Sequence, residues 1–313
     1  REDMAFGSGW VTVRDRGLLI SLGRGPARAA VADVPGINAF RLVTSGQSFI
    51  PSAATEKLVT DQIALLVEVY GDEGQQIIDE AQAYADGMNA YHVVNGGAPA
   101  VPYGVADVVA VTAFIGSIFG AGGGSEASNS EFRSQLINGL GDGQGQLAFD
   151  NIMLINQGAA PTTIDTRFDY GRFTGGEVTG SITIDEGSIV NLDPIVTAAS
   201  QDISIAASGV LFPAARKPPS REASNFLIAD GSVTASRSNQ AVMGPQLGYY
   251  YPEIVYQVHL SGPGIEAQGA AVPGLGMYLL IGRTQNYAWS LTSANHDVRD
   301  IFAEVLCNPD GSD

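Results

Sequence analysis

Apolar positions in the first third of the chain recur at three- and four-residue intervals. Leu58, Ile63, Leu65 and Leu66 within Thr55 to Leu66, and Ile77, Ile78, Ala81, Ala85 and Met88 within Gly74 to Tyr91, fall on one face of a 3.6-residue repeat. Two amphipathic helices are predicted there. Val105 to Phe119 is a third periodic stretch, with Asp107 near its start and the flexible Gly120-Ala121-Gly122-Gly123-Gly124 at its end. From about residue 176 the period shortens. The β-branched runs Glu177-Val178-Thr179-Gly180-Ser181-Ile182-Thr183-Ile184 and Ile189-Val190 read as strands or as partly ordered linker. Beyond residue 224 the alternation is strongly β. Phe226 and Ile228, the run Ala241-Val242-Met243, and then Ile254, Tyr256, Val258 and Leu260 at every second position each fit a strand with one buried face. Leu279-Leu280-Ile281 and Tyr287-Ala288-Trp289-Ser290-Leu291 flank Gly282-Arg283-Thr284-Gln285-Asn286, which has the composition of a hairpin turn. The pattern predicts an α+β protein, helical first and β-rich later, with sheet-on-sheet packing in its core.

Composition narrows the function classes. At 313 residues, 45% hydrophobic and 16% charged, the chain can bury a sizeable core in one large or two ordinary domains. A net charge of -17 and a pI near 4.4 disfavour nucleic acid and anionic membranes, which need clustered Lys and Arg. One cysteine, Cys307, excludes an internal disulfide framework, and no apolar run reaches the roughly 18 residues that span a bilayer. Between about 165 and 223 the chain is rich in Gly, Ser, Thr and Asp, and it closes on Pro213-Ala214-Ala215-Arg216-Lys217-Pro218-Pro219-Ser220-Arg221. This reads as a spacer, the alternative being an ordinary interdomain linker. Three parts follow: a helical portion over 1–165, a spacer over 166–223, and a β-rich portion over 224–313.

The chain is poor in conventional bases. With His92, His259 and His296 as its only histidines, a Ser-His-Asp or Cys-His site would have few parts to draw on. Ser224, in Arg221-Glu222-Ala223-Ser224-Asn225-Phe226-Leu227-Ile228, offers another route. A serine that becomes a chain N-terminus carries its own base, because the freed α-amine has a pKa of roughly 7.7 to 8.0. Taken locally, Ser224 is a serine in a strand-opening loop. The ordered segments downstream reverse that reading.

Those segments are Ser224-Asn225-Phe226, Gly244-Pro245-Gln246, Pro273-Gly274-Leu275, Ile281-Gly282-Arg283, Ala288-Trp289-Ser290 and Asp297-Val298-Arg299-Asp300-Ile301-Phe302. In this order they resemble the start of the β chain of the penicillin acylases, serine N-terminal nucleophile amidohydrolases made as one precursor and cut into two chains. Upstream, Ala83-Tyr84-Ala85-Asp86-Gly87-Met88-Asn89-Ala90-Tyr91 resembles an α-chain helix of that family, and Ala160-Pro161-Thr162-Thr163-Ile164 a segment near the α-chain end. The resemblance implies a four-layer αββα sandwich, α and β chains associated as a heterodimer, and an extracellular or periplasmic location. It also implies a chain that starts inside the α chain and stops inside the β chain.

The resemblance implies roles as well. Ser224 is the expected nucleophile and Ala223-Ser224 the self-cleavage site. The backbone N–H of Ser293 is an expected oxyanion donor, and Gln246 helps hold the nucleophile's amine, though it is also a plain turn residue after Gly244-Pro245. Asp297, the carbonyl of Arg299, Asp300 and Glu126 match positions of a structural Ca²⁺ site. The carboxylates at 297 and 300 can bring several hard oxygens around one ion, or form only a solvated turn. Ile118, Phe119, Phe226 and Leu247 match the acyl pocket, and such a patch is also ordinary core. Two departures bear on the substrate. The stretch Gly120 to Gly124 is shorter than its counterpart in phenylacetyl-selective members and lacks the arginine there, and the pocket is aliphatic as often as aromatic. The function implied is hydrolysis of the amide of an N-acylated small molecule. The alternatives are an acyl-homoserine-lactone or lipopeptide acylase, or a noncatalytic amide-binding homologue.

Overall fold

The computed structural model describes residues 1–34, 37–97, 99, 101–153, 186–192, 224–245, 253–292 and 296–297, with positions 121, 224, 245, 296 and 297 described by their backbone alone. Seven helices are described in chain order: α1 (Glu2–Val31), α2 (Ala39–Thr44), α3 (Ala53–Tyr70), α4 (Asp72–Asn95), α5 (Val105–Gly120), α6 (Glu126–Leu140) and α7 (Asp142–Ile152). The described strands are β1 (Gln47–Pro51), β2 (Ala121–Gly122), β3 (Gly187–Asn191), β4 (Ser224–Ala229), β5 (Gln240–Pro245), β6 (Tyr256–Gly262), β7 (Ile265–Ala271), β8 (Ile281–Arg283), β9 (Ala288–Trp289) and β10 (His296–Asp297). The predicted mixture of helix and antiparallel sheet is found. The three helices read from periodicity are α3, α4 and α5, and the turn after Ile281 joins β8 to β9, with the Thr284 N–H donating to the Tyr287 carbonyl at 2.9 Å. The run 177–184 lies outside the described residues.

The chain forms two compact units that are not consecutive stretches. The first combines Arg1–Phe119 with Asp185–Ser293, and the second Gly120–Ile184 with Ala294–Asp313.

In the first unit α1 and α4 pack against each other, an arrangement that periodicity does not predict. Glycine enables it. A Cβ on Gly9 would collide with the carbonyl oxygen of Tyr84, and one on Gly87 with that of Phe6, so the two backbones approach only because both side chains are missing. Glycines and Pro26 weaken α1 as an isolated helix, and it kinks at Arg16 (φ -139°, ψ 20°). Packing therefore holds it. Ala5, Val13 and Ile20 of α1 bury against Ala81, Tyr84, Ala85 and Met88 of α4, Val108 of α5 and Leu260 of β6. Strands β6, β7, β8 and β9 form a four-stranded antiparallel sheet in sequential order, whose apolar face meets these helices.

A second cluster joins Ala27 and Val31 of α1 to Val59 of α3, Ala110, Val111, Phe114 and Ile115 of α5, and Val272, Leu275 and Leu280 beside the sheet. The connection from Ala271 to Met277 is buried throughout, and its backbone polarity is answered from below: the Gly274 N–H donates to the Tyr84 hydroxyl at 3.2 Å. Gly274 has φ 90°, and a side chain there would press on Val111.

Two further two-stranded pairings belong to this unit. β1 pairs antiparallel with β3, and β4 with β5. The β4–β5 ribbon is apolar on both faces yet open, with Leu227 66% and Val242 70% exposed.

In the second unit α6 and α7 form a helical hairpin around Gly141 (φ 83°). Phe132 packs on Phe149 at 6.2 Å between ring centres, and Arg133 donates to Gln146 at 2.8 Å. β2 pairs in parallel with β10.

Candidate active site

Position 224 opens β4. Its backbone lies directly across from Pro245 on β5, and two residues further along Phe226 lies across from Met243. The serine thus begins a strand, as the residues around it predict. Ala223, Gln246, Leu247 and Ser293 lie outside the described residues, so their relation to position 224 is not described.

A cleft borders β5. Met243 forms one wall of a concavity of about 420 Å³ whose other walls come from Val255 and from β6 to β8, including Ala270 and Ile281. The lining is mainly apolar but includes Tyr256 and Gln257. Two further polar groups at the cleft, Gln268 and Arg283, are paired across β7 and β8. With its amide oriented so that donors meet acceptors, the Gln268 carbonyl accepts from Nε and Nη2 of Arg283 and fixes the guanidinium plane. Gly269 and Gly282 face each other across the same strands, and the Trp289 indole lies where a side chain on Gly282 would point, donating its N–H to the Leu279 carbonyl at 3.0 Å. Sequence reading missed Met243, Gln268 and Arg283 as a group. The signal available was the Ile281-Gly282-Arg283 motif, but its partner Gln268 is set by strand register and Met243 comes from a separate sheet.

The predicted pocket residues are distributed differently. Phe119 packs against the core cluster formed by α3, α5 and the sheet, Ile118 is one residue earlier on α5 and partly exposed, and Phe226 is exposed on the ribbon. None of these three lines the 420 Å³ cleft.

The described histidine side chains have local partners. His259 pairs with Glu266 across β6 and β7 at 2.6 Å, and this hydrogen bond, with one from Ser261 at 2.7 Å, holds the Glu266 carboxyl below the usual carboxylate range. His92, in the last turn of α4, stacks on Tyr103.

Two of the candidate calcium residues lie on described elements. Glu126 is the first residue of α6, and Gly122, four residues before it, pairs with Asp297 on β10. The pairing sets the backbone of Asp297 beside Gly122. Arg299 and Asp300 lie outside the described residues. Among the described residues no group of three or more His, Cys, Asp or Glu side chains could hold a metal. Ca²⁺ takes roughly six to eight hard oxygens, and of the residues expected to hold it only the Glu126 carboxylate is among the described side chains. Glu126 also complements the N-terminal end of α6.

In the first unit position 224 opens an antiparallel strand of an α+β scaffold, and a mainly apolar cleft borders the neighbouring strand β5. Among the described residues no helix is long and apolar enough to cross a membrane. A family profile described as penicillin amidase matches residues 1–313, and the chain belongs to that family. It is accordingly an acylase-type hydrolase of amides.

Proposed function

We propose that the chain carries an N-terminal serine amidohydrolase that removes the acyl group from an N-acylated small molecule. The observation that carries this is the match over residues 1–313, together with Ser224 at the first position of β4. In maturation the Ser224 hydroxyl adds to the Ala223 carbonyl. The C–N bond breaks as a C–O ester forms, and the hydroxyl proton passes to the departing nitrogen. Water then hydrolyses the ester, leaving an Ala223 carboxylate and a free α-amine on Ser224. In turnover that amine takes the hydroxyl proton while Oγ attacks the substrate amide, and returns it to the leaving amine as the acyl-enzyme forms. Water repeats the sequence on the acyl-enzyme and releases the acid.

Ser293 contributes a backbone N–H to the oxyanion and Gln246 orients the α-amine. Loss of one oxyanion donor typically costs about 10²- to 10³-fold in rate. Glu126, Asp297, the Arg299 carbonyl and Asp300 would hold a structural Ca²⁺ that fixes the segment following Ser293. The αββα sandwich, assembly of the two cleaved portions, and an extracellular or periplasmic location complete the reading.

The apolar part of the cleft beside β5, formed by Met243, Val255, Ala270 and Ile281, supports the alternative of a long aliphatic acyl group, as in acyl-homoserine lactones or lipopeptides. The test is intact mass and N-terminal sequencing of the full-length protein beside Ser224→Ala, followed by acid release from matched aliphatic and aromatic amides. A new terminus at Ser224-Asn225-Phe226, absent in the variant, is expected. An uncut chain in both proteins would leave a noncatalytic amide-binding homologue as the better reading.

A further inference from the structure

The segment 186–192 lies within the stretch whose composition reads as a removable spacer, yet its backbone is built into the first unit. Every residue of β3 is paired with β1: Gly187 with Pro51, Ser188 with Ile50, Ile189 with Phe49, Val190 with Ser48 and Asn191 with Gln47. Among the described residues β3 is the only strand partner β1 has.

The pairing is tied at both ends. At one end the Glu186 carbonyl accepts from the Ser52 N–H at 3.0 Å and from the Thr55 hydroxyl at 2.7 Å. Ser52 is also the N-cap of α3, its hydroxyl accepting from the Thr55 N–H at 3.2 Å, so this end of β3 is part of a helix cap. At the other end the Leu192 N–H donates to the Gly46 carbonyl at 3.0 Å, and the Gln47 amide donates to the Asn191 side chain at 3.1 Å. Beneath the pairing, Phe49 is only 2% exposed and packs with Ala29 and Leu42. Its ring rests against Gly187, where a Cβ would collide with both that ring and the Ile50 carbonyl. The glycine is required by this contact.

We infer that β3 is a permanent edge strand of the N-terminal portion, so that residues 186–192 remain bound to it after cleavage at Ala223-Ser224 and through any later trimming of the connector. This rests on the proposed self-cleavage at Ala223-Ser224. Withdrawing β3 would open the β1 edge, uncover Phe49 and unmake part of the α3 cap together. Excision therefore stops short of this segment: any second peptide bond hydrolysed by water lies on the C-terminal side of Leu192, and the released peptide spans at most residues 193–223.

The test uses the full-length protein after maturation. The mass of the N-terminal portion fixes its last residue, and hydrogen exchange reports on 187–191. The expected result is an end between Leu192 and Ala223, with 187–191 protected. In Gly187→Val the Ser224 terminus still appears, but protection across 187–191 is lost and the N-terminal portion is trimmed to before Glu186. A mature wild-type portion that ends before Glu186, or retains 187–191 without protection, overturns the inference while leaving self-cleavage intact. A variant that keeps wild-type protection overturns the role given to Gly187 and with it the argument from close packing. A chain never cut at Ser224 sinks the processing reading and the inference with it.

Discussion

Two glycines decide how close the longest helices approach. Gly9 and Gly87 face each other's partner backbones, whereas Gly7, two residues from Gly9 on α1, has open space around it. Gly9→Ala or Gly87→Ala is expected to destabilise by about 1–3 kcal/mol through overpacking, and Gly7→Ala to be neutral or to stabilise by about 0.5–1 kcal/mol through helix propensity. Denaturant midpoints of the three variants check the contrast. Equal effects would mean that propensity, not contact, sets the cost.

Tyrosine hydroxyls give the first unit a defined alkaline response. Burial, then the Glu80 carboxylate that accepts from its hydroxyl at 3.1 Å, pushes Tyr278 up to about 12. Burial also raises Tyr84, which accepts from Gly274, and Tyr256, which meets the Thr12 hydroxyl at 2.6 Å. The folded state therefore keeps these protons to higher pH than the unfolded chain, whose tyrosines titrate near 10, roughly. Stability from this source is complete below the unfolded value and is lost as pH rises from there through the folded values. Thermal midpoints should fall steadily above pH ~10, and less steeply in Tyr278→Phe. Tyrosinate absorbance during the same scans separates titration from unfolding.

At the scale of elements, α1 is joined to α5 by charge. Asp107, 5% exposed in the first turn of α5, accepts from Arg24 at 2.7 and 2.8 Å, pairs with Arg28 at 3.0 Å and accepts from the Gly104 N–H at 3.0 Å. Arg28 reaches on to Glu56 of α3 at 2.9 Å and to the Ala106 carbonyl, while Arg24 stacks over Tyr103 and donates to the carbonyls of Val101 and Pro102. One carboxylate thus answers two guanidiniums and a helix N-terminus. Asp107→Ala leaves those cations without their shared partner at a mostly buried position, and an expected loss of about 3–5 kcal/mol follows. Denaturant unfolding of Asp107→Ala and Asp107→Asn checks it, with Asn intermediate because it can still accept a hydrogen bond from the Gly104 N–H.

At the scale of the whole molecule, the proposed metal site predicts linkage. Calcium at about 100 times its dissociation constant should stabilise the full-length protein by about 2.7 kcal/mol, visible as a rise in thermal midpoint that a chelator reverses. Glu126→Gln and Asp297→Asn are expected to diminish that rise separately. A midpoint indifferent to calcium in the wild-type protein would remove the ion from the proposal.

The sequence by itself determined the local elements and the family. Apolar residues three and four apart are a property of neighbours on one helix, and so Thr55 to Leu66 and Gly74 to Tyr91 fall inside α3 and α4, and Val105 to Phe119 covers nearly all of α5. The hairpin after Ile281 and the ordered motifs from Ser224 onward were legible for the same reason: each is encoded in a few consecutive residues. Only the tertiary structure decided what distant segments do to one another. The part played by Gly9 and Gly87 is not written in the residues around them, because the carbonyls of Tyr84 and Phe6 that require them lie on the other helix of each pair. Ile189-Val190 read as strand or linker, because β1 lies some 140 residues upstream in the chain and its paired edge settles the choice. Gln268 and Arg283 meet through the register of β7 and β8, and Met243 joins their cleft from a different sheet, relations that no single stretch of sequence contains.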